Sequence, residues 1–293
     1  MLQPQGGLAV ESPKAERLLR VGLVQMNTVP CEAAENRKTA ERLIRRAAEA
    51  GADLVVLPET WNVGFFPRRF LADLAEPEDG ESRALLSRLA KELGVAVAGG
   101  SIPTRRGGSI CNTFVFYTNE GRLTAEYDKL HAFSPSEEGA FFRAGDRLCL
   151  FSACGVCAGA LLCYDLRFCE QARLLALGGA SLLLVCAQWP QNRLAHWRLL
   201  TMARAVENQA FVLAVNGCGV FDGIRSGGGS IAVSPWGEIL AEAGSEEELV
   251  VADLRLEAVR EARRAMNVLA DRRPELYVGL SRPVPSQKGE EFS

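Results

Sequence analysis

The sequence predicts an α/β layered fold built as one large domain. Two observations predict it: short apolar runs that read as strands buried on both faces, and segments of helical period that separate them. At 293 residues such a domain buries most of the surface its unfolded chain exposes, so it needs no covalent staple. No repeat, low-complexity block or linker-like shift in composition divides the chain. Residues 1–20 read as a flexible, untargeted extension, 21–280 as the domain and 281–293 as a flexible tail.

Taken in order, "VGLVQMN" (21–27) is a short apolar strand. In the helix that follows, Ala40, Leu43, Ile44, Ala47 and Ala48 recur at helical spacing. "ADLVVLPE" (52–59) reads as a buried strand, and "SRALLSRLAKELG" as a helix with Leu85, Leu86, Leu89, Ala90 and Leu93 on one face and Gly94 as its stop. Three strands come next: "VAVAGGSI", "SICNTFVFYTN" and "GRLTAEYDK", the last two joined by a turn at Asn119-Glu120-Gly121. Beyond "GVCAGALLC" the pattern gives a helix, the strand "SLLLVCA", a long helix over 193–209 and the strand "FVLAVNG". Strands around 227–234, 237–243 and 248–253 and a last helix, "RLEAVREARRAM", complete the domain.

Composition excludes several functions. A formal net charge of −3 leaves no basic footprint for nucleic acid. The longest apolar runs fall well short of the roughly 20 residues a bilayer needs, so no membrane is expected. Nine cysteines, mostly inside apolar runs, suit reduced thiols and a cytoplasmic protein better than a disulfide framework. Only two histidines occur, which disfavours a multi-histidine metal site. Neither a G-x-S-x-G elbow nor a phosphate-cradling P-loop is present. "SGGGS" (226–230) follows no strand-to-helix pattern, and "CGVC" (154–157) has no second pair to complete a metal site, so it reads as two small residues on one strand.

Three strand ends each carry one reactive group: Glu59 after "LVVLP", Lys129 after "AEYD", and Cys163 after "GALL". Each alone has an ordinary reading, as a solvated acid, a surface amine and a small buried residue. Ligands of α/β sheets gather at the carboxyl ends of strands, so the three can meet in one pocket. A thiol is a strong nucleophile once a base takes its proton, and a carboxylate can be that base. A lysine can hold the negative charge of a tetrahedral intermediate, with the backbone N–H of Tyr164 as a second oxyanion donor if Cys163 opens a helix.

The segments "LPE", "YDKLH", "LLCYDLRFCEQARLLALGGASLLL", "WP…HWRLLTMARAVENQAFVLAVN" and "SPWGEIL" resemble the carbon–nitrogen hydrolase (nitrilase) superfamily, from about residue 20 to about 280. The resemblance implies a Glu59–Lys129–Cys163 triad, a four-layer αββα sandwich of two mixed sheets covered by helices, a thioester acyl-enzyme, and no metal or organic cofactor. It also implies a second glutamate in "SPSEEGAFFRAGD", where Glu137 and Glu138 compete and spacing to Gly145-Asp146 favours Glu138. The cysteine segment is most similar to the ω-amidase branch, which deamidates α-ketoglutaramate and related dicarboxylic monoamides. N-carbamoyl amides and nitriles are the alternative substrates, and a non-catalytic scaffold the remote one.

A free carboxylate on such a substrate suits Arg167, although Arg167 could equally be an ion-pair partner of Asp165 or Glu170. Trp189 is expected to wall the pocket or to sit in the core. The family commonly pairs through an outer helical layer, which implies a homodimer or higher homo-oligomer through the helix after Cys163 and the helix over 193–208. Cys169, in a place where proline is common in the family, and the unusual loops after Glu59 and Lys129 depart from the family's pattern around the substrate pocket.

Overall fold

The structure, a computed structural model, describes residues 18–65, 67–221 and 223–277. Most of the expected extension and all of the expected tail lie outside these residues. The first half runs β1 (Leu18–Gln25), α1 (Ala33–Glu49), β2 (Leu54–Val56), α2 (Leu71–Leu74), α3 (Glu81–Leu93), β3 (Ala96–Arg106), β4 (Ser109–Tyr117) and β5 (Leu123–Asp128). The second runs β6 (Leu150–Ala153), β7 (Val156–Leu162), α4 (Cys169–Leu177), β8 (Leu182–Ala187), α5 (Leu194–Asn208) and β9 (Phe211–Asn216). Then follow β10 (Cys218–Phe221), β11 (Ile224–Gly227), β12 (Ile231–Val233), β13 (Ile239–Glu242), β14 (Glu248–Arg255), α6 (Glu257–Ala265) and α7 (Pro274–Tyr277).

The strands form two six-stranded mixed sheets, ordered β14-β1-β2-β3-β4-β5 and β13-β12-β9-β8-β7-β6. Each has a parallel centre, β1-β2-β3 and β7-β8-β9, with antiparallel neighbours outside. Parallel centres are buried on both faces, which is why "LLLVCA" carries no polar residue. Alternation along each strand then divides the core. Val21, Leu23, Val56, Phe114 and Phe116 of one sheet meet Ala160, Leu162, Leu184 and Leu213 of the other. On the outer face of the first sheet, Val24, Val55 and Val97 pack under Leu43 and Ile44 of α1 and Leu86 and Leu89 of α3. On the outer face of the second, Leu161, Val185 and Val212 pack under α4 and α5. The layers are therefore αββα, as the resemblance implied.

Helix α3 stops where its periodicity ends, with Gly94 at φ 67 as its left-handed cap. One local reading is corrected, and one hairpin is added. "CGVC" does not lie on one strand: Ala153 pairs with Val156, so Cys154 and Gly155, both at positive φ, form the two-residue hairpin turn between β6 and β7. The segment 218–227 forms the β10–β11 hairpin, which hydrophobic alternation did not announce because Gly219, Arg225 and Ser226 break it. All nine cysteines are free thiols. No helix among the described residues is long and apolar enough to cross a membrane.

Candidate active site

Glu59, Lys129 and Cys163 follow the carboxyl ends of β2, β5 and β7, and the sandwich brings them together. The loop after β2 is fixed by a bulge between Ala98 and Ser101 in the β3–β4 pairing. There, Ser101 Oγ accepts the Thr60 N–H at 2.9 Å and Gly99 O accepts Trp61 Nε1–H at 2.7 Å. Gly100 (φ 58) is required at that bulge, since a Cβ would stand 1.9 Å from Pro58 O. Thr60, directly after Glu59, holds φ 42, a strained value for a β-branched residue.

Lys129 is the hub. Its Nζ donates to Glu59 Oε1 at 2.9 Å and to Glu138 Oε2 at 2.9 Å, and all three side chains are buried. Asn112 Nδ2 donates to Glu59 Oε1 at 2.8 Å and reaches Glu138 Oε1 at 3.3 Å, so one amide aligns both carboxylates. The other oxygen of Glu59 accepts the backbone N–H of Gln188 at 3.1 Å, and Phe133 N–H donates to Glu138 Oε2 at 2.6 Å. Of the two acids, Glu138 and not Glu137 is therefore the one that contacts Lys129. Glu137 is turned to solvent at φ 56, with Arg68 3.9 Å away.

Burial would lower the Lys129 ammonium, but Glu59 and Glu138 outweigh it and hold the group well above the ordinary lysine range. Burial, reinforced by Glu59, pushes the Cys163 thiol well above its ordinary value, against the opposing pull of Lys129 and the Gln188 N–H. These shifts favour a neutral thiol on Cys163 beside a charged Lys129.

Cys163 opens a 3₁₀ turn, Cys163–Arg167, with φ 48 at the cysteine itself. Asp165, fully buried, holds that turn from beneath. Its Oδ2 accepts Leu162 N–H at 2.9 Å and Tyr127 O–H at 2.7 Å, and its Oδ1 accepts His131 N–H at 3.1 Å and faces His131 Nδ1 at 2.8 Å. The expected alternative for Arg167, an ion pair with Asp165 or Glu170, is absent among the described residues. Arg167 instead stacks its guanidinium 4.6 Å over Trp189, with Nη2 3.5 Å from His196 Nδ1.

Cys163, Tyr164, Arg167 and Trp189 all border one cavity of about 560 Å³, a size suited to a small ligand. Trp189 is buried and also packs on Trp197 at 5.6 Å, so wall and core are one role. Asn112, Gln188, Asp165, Tyr127 and His131 were missed by sequence reasoning as site residues. The signal open to it was a polar Asn112 within the largely apolar strand β4.

Solved structures share this architecture. An amidase from Nesterenkonia sp. AN1, with an acrylamide adduct at its active-site cysteine, superimposes with a TM-score of 0.79 at 30% identity, covering 89% of this chain and 99% of that one. A protein of the same superfamily from Xanthomonas campestris gives 0.81 at 31% identity, covering 88% and 98%. The class is thus an αββα nitrilase-superfamily hydrolase. The chain belongs to the carbon-nitrogen hydrolase family, whose model matches residues 20–264, and is an amidase-type enzyme of linear amides. Its relatives include 2-oxoglutaramate amidase of Bacillus subtilis (37% identical over 83% of this chain and 93% of the relative). Omega-amidase NIT2 of Xenopus tropicalis is 36% identical over 88% and 96%.

Proposed function

We propose that the protein is an ω-amidase that hydrolyses α-ketoglutaramate, or a related dicarboxylic monoamide, through a thioester on Cys163. The observation that carries the chemistry is Lys129 shared between two buried carboxylates, beside a thiol that lines the cavity. Cys163 Sγ attacks the amide carbonyl while Glu59 takes the thiol proton. Lys129 and the Tyr164 N–H hold the oxyanion, and Glu138 keeps Lys129 in place. Glu59 passes its proton to the departing nitrogen, which leaves as ammonia. Water then attacks the thioester, its proton goes to Glu59 and on to the sulfur, and the acid is released. Arg167 holds the substrate's carboxylate against the Trp189 wall.

The names of the relatives in Bacillus subtilis and Xenopus tropicalis support the substrate. The same reading takes the enzyme as a cytoplasmic homodimer or higher homo-oligomer, without nucleic-acid or membrane partners. Exposed Leu174, Leu177, Leu199 and Val206 on the outer α4–α5 layer support pairing there. The test is ammonia release from α-ketoglutaramate, glutamine, short aliphatic amides, N-carbamoyl amines and nitriles, with Cys163→Ala as the blank. Preference for α-ketoglutaramate is expected. Preference for an N-carbamoyl compound or a nitrile would displace this substrate, and an active Cys163→Ala would end the mechanism.

A further inference from the structure

Beside the thiol, the cavity carries more positive charge than the one arginine assigned to the substrate accounts for. Its lining among the described residues includes Arg68, Arg167, Arg193 and Arg225 and no carboxylate. Two of these have acidic company: Arg68 lies 3.9 Å from Glu137 and Arg225 lies 3.8 Å from Glu246. Arg167 and Arg193 have no carboxylate within ion-pair distance among the described residues, although both are only half exposed or less. A guanidinium drawn partly out of water without a counter-ion is costly unless an anion visits it.

Both groups are held ready. Trp189 links them: its ring carries the Arg167 guanidinium at 4.6 Å, and its Nε1–H donates to the carbonyl of Arg193 at 2.8 Å. Arg193 is further fixed by its own N–H, which donates to Pro190 O at 3.1 Å, while its guanidinium lies 5.7 Å over the ring of Phe133. Phe133 in turn meets Tyr164 edge-on at 5.1 Å, and Tyr164 is the neighbour of Cys163. An aromatic wall therefore runs from the nucleophile to Arg193.

We infer that Arg193 is a second carboxylate anchor, and that with Arg167 it makes the cavity select a 2-oxo acid monoamide over the corresponding 2-amino acid. This rests on the α-ketoglutaramate reading above. The carboxylate of either compound meets two fork-shaped donors. The 2-amino acid also brings an ammonium on the adjacent carbon up to Arg167 and Arg193, which have no carboxylate partner among the described residues, whereas a 2-oxo group adds no charge and accepts hydrogen bonds. Discrimination comes from that repulsion as much as from attraction.

The experiment compares wild type, Arg193→Gln and Arg193→Lys on α-ketoglutaramate and L-glutamine, and measures inhibition by 2-oxoglutarate. Wild type is expected to favour α-ketoglutaramate by about 100-fold or more in kcat/KM. Arg193→Gln is expected to raise KM for α-ketoglutaramate about 10- to 100-fold with kcat little changed, to raise the inhibition constant of 2-oxoglutarate in parallel, and to narrow the preference over glutamine. Arg193→Lys, which keeps the charge and loses the fork, should fall between. A KM and inhibition constant that move less than about twofold in Arg193→Gln would overturn the second anchor while leaving the substrate reading intact. Wild type that fails to turn over α-ketoglutaramate would instead overturn the substrate reading itself.

Discussion

Replacing Asp165 by Asn changes one atom beneath Cys163, the proposed nucleophile, and the structure fixes what that change costs. Each carboxylate oxygen faces a backbone donor, Leu162 N–H on Oδ2 and His131 N–H on Oδ1. An amide group cannot accept on both sides. With its nitrogen towards Oδ2 it opposes Leu162 N–H and also the Tyr127 hydroxyl, whose oxygen already accepts from Gln171 Nε2 at 2.8 Å and Leu130 N at 3.1 Å. With its nitrogen towards Oδ1 it can donate to His131 Nδ1 in the matching tautomer, but His131 N–H is orphaned.

The second orientation is the cheaper one. It leaves one poorly solvated N–H unsatisfied, about 1–3 kcal/mol, and weakens the remaining bonds from charge-assisted to neutral strength, about 1 kcal/mol each. A loss of about 3–5 kcal/mol follows, a large share of the 5–15 kcal/mol typical of a domain. The same network holds Cys163 at φ 48, a conformation that costs of order 1–3 kcal/mol and persists only under constraint. Urea unfolding followed by circular dichroism should show the stability loss. Ammonia release at a temperature where the variant remains folded should show a fall in kcat of at least about tenfold. An Asp165→Asn protein within about 0.5 kcal/mol of wild type and fully active would refute the reasoning.

Two further outcomes follow from buried charge. Lys129→Met removes the cation between Glu59 and Glu138, and the uncompensated carboxylates should cost about 3–5 kcal/mol by urea unfolding and abolish turnover; a variant as stable as wild type would count against the shared-lysine description. The buried thiols Cys149 and Cys218 are pushed by burial from 9.0 up to about 11 and about 12. Their native values lie above the unfolded one, so their stabilisation is whole below about pH 9 and is lost as pH climbs beyond it. At pH 10 each removes about 1 kcal/mol relative to pH 7, read as a lower urea midpoint under reducing conditions. An unchanged midpoint would mean that these thiols ionise as freely in the fold as outside it.

The layers and the reactive trio were legible because each signal is local. A strand buried on both faces reads as an apolar run wherever its partner lies, and Glu59 and Cys163 each close such a run, while Lys129 follows the edge strand β5. Spacing favoured Glu138 over Glu137, and Glu138 is the one that contacts Lys129. What aligns these groups was not, because the contacts are distant in sequence: Asn112 reaches Glu59 across 53 residues and Gln188 reaches it across 129. Asp165 was weighed only as a partner of Arg167, since nothing local reveals that Tyr127 and His131 converge on it from another strand end. The β10–β11 hairpin and the Cys154–Gly155 turn escaped for a different reason: both depend on backbone conformation at single residues, to which hydrophobic periodicity is blind.

The central claim is that Cys163 accepts the acyl group of an α-ketoglutaramate-type substrate. Rapid acid quench of enzyme mixed with α-ketoglutaramate, followed by intact-protein and peptide mass spectrometry, tests it most directly. The account predicts a transient adduct of one acyl group on the peptide bearing Cys163, formed as ammonia is released and absent from Cys163→Ala. Steady ammonia release with the acyl group on another residue, or undiminished release from Cys163→Ala, would contradict it.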